Sequence, residues 1–171
     1  MDSNTNINQD KLVDLLIAGD ENAYRRVIDE FREPVMRLCM GFTGSSHDAE
    51  DLAQDIFIQV FKSVKKFRRN ASLSTWIYRI AVNRSINFVR DSRRGLRDNF
   101  YPADKIESAH SESPEVESRL DEKYHAAAIH AAMDVLPENQ KTAFILNKYE
   151  DMKYSEIADI MDMSLSSVES L

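Results

Sequence analysis

Apolar residues in this chain recur at three- and four-residue intervals rather than alternating, and only four glycines and four prolines interrupt them across 171 residues. That spacing suits helices with buried stripes, so the expected fold class is all-α. Helices are expected over 11–18, 21–40, 48–67 and 73–94, separated by Gly19-Asp20, by the turn that runs from Gly41 to His47, and by Arg69-Asn70-Ala71-Ser72. Pro34 falls inside the second helix and is expected to kink or split it. After Arg94 the texture changes: Pro102, Pro114 and many small polar or acidic residues lack helical periodicity, which reads as a linker over 96–118. A second helical block follows, with Ile129, Met133 and Leu136 on one stripe, and Leu136-Pro137-Glu138 ending one helix and starting the next. The expected organisation is two small helical domains, 8–95 and 119–171, joined by a flexible linker.

Charge is distributed as unevenly as structure. The net charge is −7, yet residues 62–97 hold eleven basic side chains against the single acid Asp91, a net of +10, which leaves −17 for the rest. One polyanion-binding segment set in an acidic body fits that pattern. No apolar run approaches the roughly 18 residues of a membrane span, and the polar start lacks the basic and apolar regions of a signal peptide, so a cytoplasmic protein without membrane association is expected. Cys39 is the only cysteine, which excludes an internal disulfide and a cysteine-based zinc site and reads as a buried, inert thiol.

On a helical wheel of 73–94, Trp76, Arg79, Asn83, Asn87, Arg90 and Arg94 fall within an arc of about 80°. Leu73, Ile77, Ile80, Ala81 and Phe88 form one apolar arc, and Tyr78, Val82, Ile86 and Val89 form another. Such a helix is held on two sides and shows one basic, amide-bearing face. Arginines neutralise phosphates, amides read base edges and an aromatic ring stacks on an unpaired base, so the face suits single-stranded or melting DNA. Lys65, Lys66, Arg68 and Arg69 extend it. The alternative is that Trp76 is ordinary core and the arginines a solvated face. Arg84 lies within an apolar arc and reads as structural.

Residues 151–171 read as helix-turn-helix, with a plain helical hairpin as the alternative. Ile157, Ala158 and Met161 would pack the first helix, Met163 and Leu165 the turn, and Val168 and Leu171 the second helix, leaving Ser166, Ser167, Glu169 and Ser170 toward a major groove. In 48–67, a core stripe of Ala49, Leu52, Ala53, Ile56, Val60 and Val64 leaves Phe57, Ile58 and Phe61 beside Asp48, Glu50, Asp51 and Asp55. Those surplus apolar residues mark a protein-binding surface or packing within the same domain.

The run Asp48-Ala49-Glu50-Asp51-Leu52-Ala53-Gln54-Asp55-Ile56-Phe57, then Ser74-Thr75-Trp76-Ile77-Tyr78-Arg79-Ile80-Ala81-Val82-Asn83, Leu136-Pro137-Glu138, Ser155-Glu156-Ile157-Ala158 and Ser167-Val168-Glu169-Ser170 resembles, in order and spacing, the extracytoplasmic-function (ECF) branch of the sigma-70 family of RNA polymerase sigma factors. The resemblance implies domains termed sigma-2 and sigma-4 and a linker that threads through the polymerase. It implies docking on the β′ clamp helices of core polymerase through Asp48, Glu50, Asp51, Gln54, Asp55 and Ile58. It assigns the −10 promoter element to Lys65, Lys66, Arg68, Arg69, Asn70, Ser74, Trp76, Arg79, Asn83, Asn87, Arg90 and Arg94, with an unpaired base held by the loop around 70–73. It gives the −35 element, with the β flap, to the second domain through Ser166, Ser167, Glu169 and Ser170. A transcription initiation factor of this kind has no catalytic residue, metal, cofactor or small-molecule substrate, and an anti-sigma factor is an expected partner. The chain stops within the recognition helix, before the basic stretch that family members normally carry, so a truncated helix with fewer phosphate contacts is expected. Asp162 stands where a glycine is common at the helix-helix turn.

Other classes fit less well. A helix-turn-helix regulator acting on duplex DNA without polymerase usually dimerises, and the strongest basic face here is far from the helix-turn-helix. A helical enzyme would need convergent groups, whereas His47, His110, His125 and His130 are scattered; Asp48, Glu50 and Asp51 near His47 are explained by an acidic helix start. A pure interaction module would leave the basic segment 62–97 without a role.

Overall fold

The computed structural model describes residues 3–98 and 128–171, and all regular structure in them is helical. In chain order the elements are α1 (Ser3–Ala18), α2 (Glu21–Thr43), α3 (Ser46–Ser63), a 3-10 turn (Val64–Lys66), α4 (Leu73–Asp98), a helical segment α5 over 128–134, α6 (Glu138–Glu150), α7 (Tyr154–Met161) and α8 (Leu165–Glu169). The linker expected over 96–118 lies, from residue 99 on, outside the described residues; α4 itself continues to Asp98.

Local chemistry sets the helix ends. The Asp20 carboxylate accepts from the Ala23 N–H at 2.8 Å and starts α2. At its other end Gly44 takes a left-handed φ of 69° and donates its N–H to the Met40 carbonyl, a conformation that glycine adopts without steric cost. Ser45 then caps α3 by accepting from the Asp48 N–H, and Asp48 lies at the positive end of the helix dipole. Pro34 does not split α2, which runs unbroken from Glu21 to Thr43. The segments on both sides of Pro34 supply apolar residues, Phe31, Val35 and Leu38, to one buried core. Several boundaries differ from expectation, with α2 and α4 running on to Thr43 and Asp98 and α3 starting at Ser46. The first helix begins at Ser3 rather than near Lys11, in a polar stretch with no apolar stripe to announce it, and the third ends at Ser63, tightening into the 3-10 turn that turns Val64 inward.

Helices α2, α3 and α4 form the main core through Val27, Leu38, Leu52, Ile56, Val60, Ile77 and Ala81, and α1 adds Leu12, Val13 and Leu16. Cys39 is buried in it, and burial pushes its thiol up to about 12, as an inert cysteine requires. The C-terminal helices dock onto this unit: α6 lies on α2, α7 on α4, and α8 on α7. Gly41 makes the first of these contacts possible, since a Cβ there would meet Ile145 at 2.9 Å. The two apolar arcs read on α4 are thus both used, one toward α2 and α3, the other toward the C-terminal helices. The expected stripe of Ile129, Met133 and Leu136 is only partly buried: Met133 is 3% exposed, while Ile129 is 50% exposed and Leu136 36%.

Candidate nucleic-acid interface

On α3, the residues Asp51, Gln54, Asp55 and Ile58 follow the three- and four-residue spacing of one helix face, and all four are exposed. Glu50 is exposed beside them and Asp48 is half-buried at the start. Of the surplus apolar residues, Phe57 is buried and Phe61 packs on the Tyr24 ring at 4.6 Å, whereas Ile58 is 49% exposed. The face is therefore acidic with one apolar side chain near its end. Arg84 of α4 reaches Asp55 at 2.6 Å, which gives it the structural role that its position in an apolar arc suggested. His47 lies 3.9 Å from Asp51, both in water, and among the described residues no group of three His, Cys, Asp or Glu side chains is gathered as metal ligands would be.

The turn between α3 and α4 presents Lys65, Lys66, Arg68, Arg69 and Asn70 at the surface. Arg69 has a left-handed φ of 57° and its guanidinium forms ion pairs with Asp14 and, at 3.5 Å, Asp10 on α1. The Ser72 hydroxyl accepts from the Thr75 N–H at 3.0 Å, capping α4, and lies 2.8 Å from the Ser74 hydroxyl. The Phe67 and Trp76 rings meet at 5.0 Å, so Trp76 is half-buried, with part of its indole free. A cavity of about 280 Å³ opens between this turn and α1.

Farther along α4, Asn83, Asn87 and Arg90 are exposed, as the stripe requires. Arg90 pairs with Glu138 at 3.2 Å. Arg94 lies beyond the residues whose side chains are described. Arg79 is different. Its Nε and a terminal nitrogen donate to the Asp159 carbonyl on α7 at 3.0 and 2.6 Å, so the guanidinium is already engaged by the C-terminal helices. A cavity of about 380 Å³ beside it is shared between Arg79, Val82, Asn83 and Ile86 of α4, Thr142 of α6 and Ile160 of α7. In this arrangement α7 occupies the hydrogen-bonding edge that Arg79 would otherwise offer to a nucleic-acid strand.

Polar contacts hold this closed arrangement. The Glu150 carboxylate, 2% exposed, accepts two hydrogen bonds from Arg37 at 3.1 Å and one from the Tyr78 hydroxyl at 2.8 Å. Burial raises the Glu150 pKa, and the hydrogen bonds from Tyr78 and Arg37 hold it down in part. The Tyr78 hydroxyl is pushed well up, first by burial and then by its carboxylate partner. Lys141, buried on α6, donates to the Phe42 carbonyl at 3.2 Å and to Asp134 at 2.8 Å. Neither Glu150 nor Lys141 belongs to a motif or stripe that marks it as a contact residue in the sequence.

The C-terminal pair α7 and α8 forms the expected helix-turn-helix. Ile157, Ala158 and Val168 are buried, Met161 is half-buried against the core as expected, and Ile160 adds a further buried side chain on α7. Leu165 and Leu171 are 45% and 39% exposed, so the turn and last helix rest mainly on Met163 and Val168. Asp162 adopts the left-handed φ of 54° that a glycine would take freely, and its N–H closes on the Ala158 carbonyl. Ser166, Glu169 and Ser170 are exposed; Ser167 is half-buried and donates its N–H to the Ser164 cap at 3.2 Å.

Two family matches cover the two halves: sigma-70 region 2 over residues 27–95, and sigma-70, region 4 over 126–171. The ECF RNA polymerase sigma-E factor of Haemophilus influenzae is 30% identical over 169 residues, which span 93% of this chain and 86% of that protein. The chain belongs to the ECF sigma factors of the sigma-70 family. The sigma factor SigW of Bacillus subtilis is 25% identical, over 88% of this chain and 83% of its own. The fold recurs in solved structures. CnrH in complex with the cytosolic domain of CnrY matches with a TM-score of 0.68 at 17% identity, covering 95% of this chain and 88% of that one. RpoE from Bartonella quintana, crystallised with the anti-sigma factor NepR, gives 0.59 at 19% identity, covering 86% and 88%. This sigma factor therefore acts in transcription initiation. Among its described residues, no helix is long and apolar enough to cross a membrane.

Proposed function

We propose that this sigma factor, a non-enzymatic cytoplasmic initiation factor, binds core RNA polymerase through the α3 face of Asp48, Glu50, Asp51, Gln54, Asp55 and Ile58, and opens promoter DNA with α4 and the turn before it. Lys65, Lys66 and Arg68 hold phosphates, Asn70 and Ser74 face a displaced base, and Trp76, Arg79, Asn83, Asn87, Arg90 and Arg94 track the −10 strand. Ser166, Ser167, Glu169 and Ser170 of α8 face the −35 element. The observation that carries this reading is the exposed pair Asn83 and Asn87 on the helix that follows the basic turn, neither of them part of the buried core. Buried groups build the core; exposed amides between basic residues have no such role, and they suit base edges.

Arg79 belongs to this stripe but is engaged by Asp159 in the closed arrangement, so the active form on polymerase is an open one in which α7 has left α4. An anti-sigma factor that favours the closed form, or covers α3, would inhibit. Asn83 and Asn87 give the clean test because they make no closing contact. Alanine at both should leave the helical thermal melt within about 0.5 kcal/mol of the parent and lower open-complex formation by on the order of tenfold, as the loss of one or two base contacts implies. Promoter opening at the parental rate would remove the stripe from the mechanism.

A further inference from the structure

We infer that Asp10 and Asp14 of α1 are positioning residues for promoter opening: they hold Arg69, and through it the wall of the cavity that receives a displaced base. The inference rests on the reading of the turn before α4 as a −10 contact, and it concerns residues that precede the matched region 27–95.

The turn is fixed at three points. Its start is held where the Phe67 N–H meets the Val64 carbonyl and the Phe67 ring meets Trp76, and its end where Ser72 caps α4. Between them Arg69 adopts φ 57°, a conformation that a non-glycine residue sustains only where its surroundings hold it. What holds it is α1. Asp10 and Asp14 are one helical turn apart on the same face, and the planar guanidinium bridges them. The cavity of about 280 Å³ behind Arg69 has Val13, Phe67 and Leu73 as apolar lining and Asp10, Asn70 and Ser72 as polar lining. That combination suits one planar ring with hydrogen-bonding edges.

Electrostatics also argues for positioning. Two carboxylates beside a DNA-facing turn repel phosphate, so they oppose affinity on their own account. Partly exposed ion pairs contribute little to stability, and the Asp10 and Asp14 side chains are 58% and 67% exposed. Setting the turn remains as their effect.

The test uses holoenzyme assembled from full-length chain and core RNA polymerase. Fork-junction DNA with a short randomised single-stranded tail is selected on it and the bound pool sequenced. The parent should prefer one base at one tail position by on the order of tenfold. D10N/D14N should flatten that preference to below about threefold while total binding stays level or rises, because negative charge has been removed. Arg69→Ala should flatten it equally, and adding D10N/D14N to Arg69→Ala should change nothing more, as expected of residues that act through one another. A uniform rise in binding with the preference intact would make the two carboxylates mere repulsive charges and overturn the inference. Asn70→Ala separates the two readings: if the parent shows no preferred base and Asn70→Ala has no effect, the turn is not a base-binding site and the inference falls with it.

Discussion

Alanine at Arg37 is expected to release the C-terminal helices from α2 and α4. The Glu150 carboxylate is 2% exposed and takes two of its three hydrogen bonds from Arg37. Without the guanidinium it is a buried anion held by one hydroxyl, and the simplest way to hydrate it is to undock the end of α6. Breaking a buried pair from one side costs up to about 3–5 kcal/mol. Arg37 is 49% exposed, so a cost of roughly 2–4 kcal/mol is expected, enough to shift the docking equilibrium more than tenfold. Glu150→Ala should do less, because the orphaned Arg37 is already half in water.

The direction of the Glu150 shift sharpens this order. A carboxyl whose pKa is raised in the closed form stabilises that form below the usual carboxylate range, and the contribution is lost as pH rises through the raised value. Glu150→Gln, which mimics the protonated acid, should therefore stay closed. Acid itself is the poorer probe because His130, whose ring packs on Gly44, has a pKa lowered by burial and by Lys141. Its contribution is present above its usual pKa and lost as pH falls, opposing Glu150. Small-angle X-ray scattering checks the series: the radius of gyration should rise most for Arg37→Ala, less for Glu150→Ala and hardly at all for Glu150→Gln. An unchanged radius for Arg37→Ala would mean that the polar contacts do not hold the closed arrangement.

The second large effect is expected on α3. Asp51→Lys together with Ile58→Asp reverses one charge on the acidic face and places a carboxylate where an apolar anchor stands. Loss of a central apolar contact costs about 2 kcal/mol or more at an interface, and reversal of a complementary charge adds to it. Core polymerase binding should weaken at least about a hundredfold. Both side chains are solvent-facing and neither supports the core, so the urea melt should move by less than about 0.5 kcal/mol. Asp55 is left unchanged because its pairing with Arg84 would confuse folding with binding. Core binding at parental affinity would assign polymerase docking to another surface.

These two predictions differ in how far their residues could be read before the fold was known. That Asp51, Asp55 and Ile58 lie off the buried stripe of α3 follows from helical spacing, because periodicity reports which side of a helix is buried, whereas Gln54 came in only with the family resemblance. The two apolar arcs of α4 were legible for the same reason, as a helix needing cover on both sides. What covers the second arc was not. Arg37 meets Glu150, and Tyr78 meets the same carboxylate, across separations of 113 and 72 residues, and no local pattern records such a pairing. Lys141 shows the same limit: a lysine on a helix reads as solvated until Phe42 and Asp134 are found around it. The left-handed Arg69 was equally hidden, since an arginine in a basic turn suggests phosphate rather than two carboxylates on α1.

The most direct test of the central claim is to mix the chain with core RNA polymerase and follow complex formation and run-off transcription from promoter DNA. A stable complex with core enzyme, and initiation that depends on both the chain and the −10 sequence, is the predicted result. Failure to bind core enzyme, with duplex DNA binding retained, would contradict it.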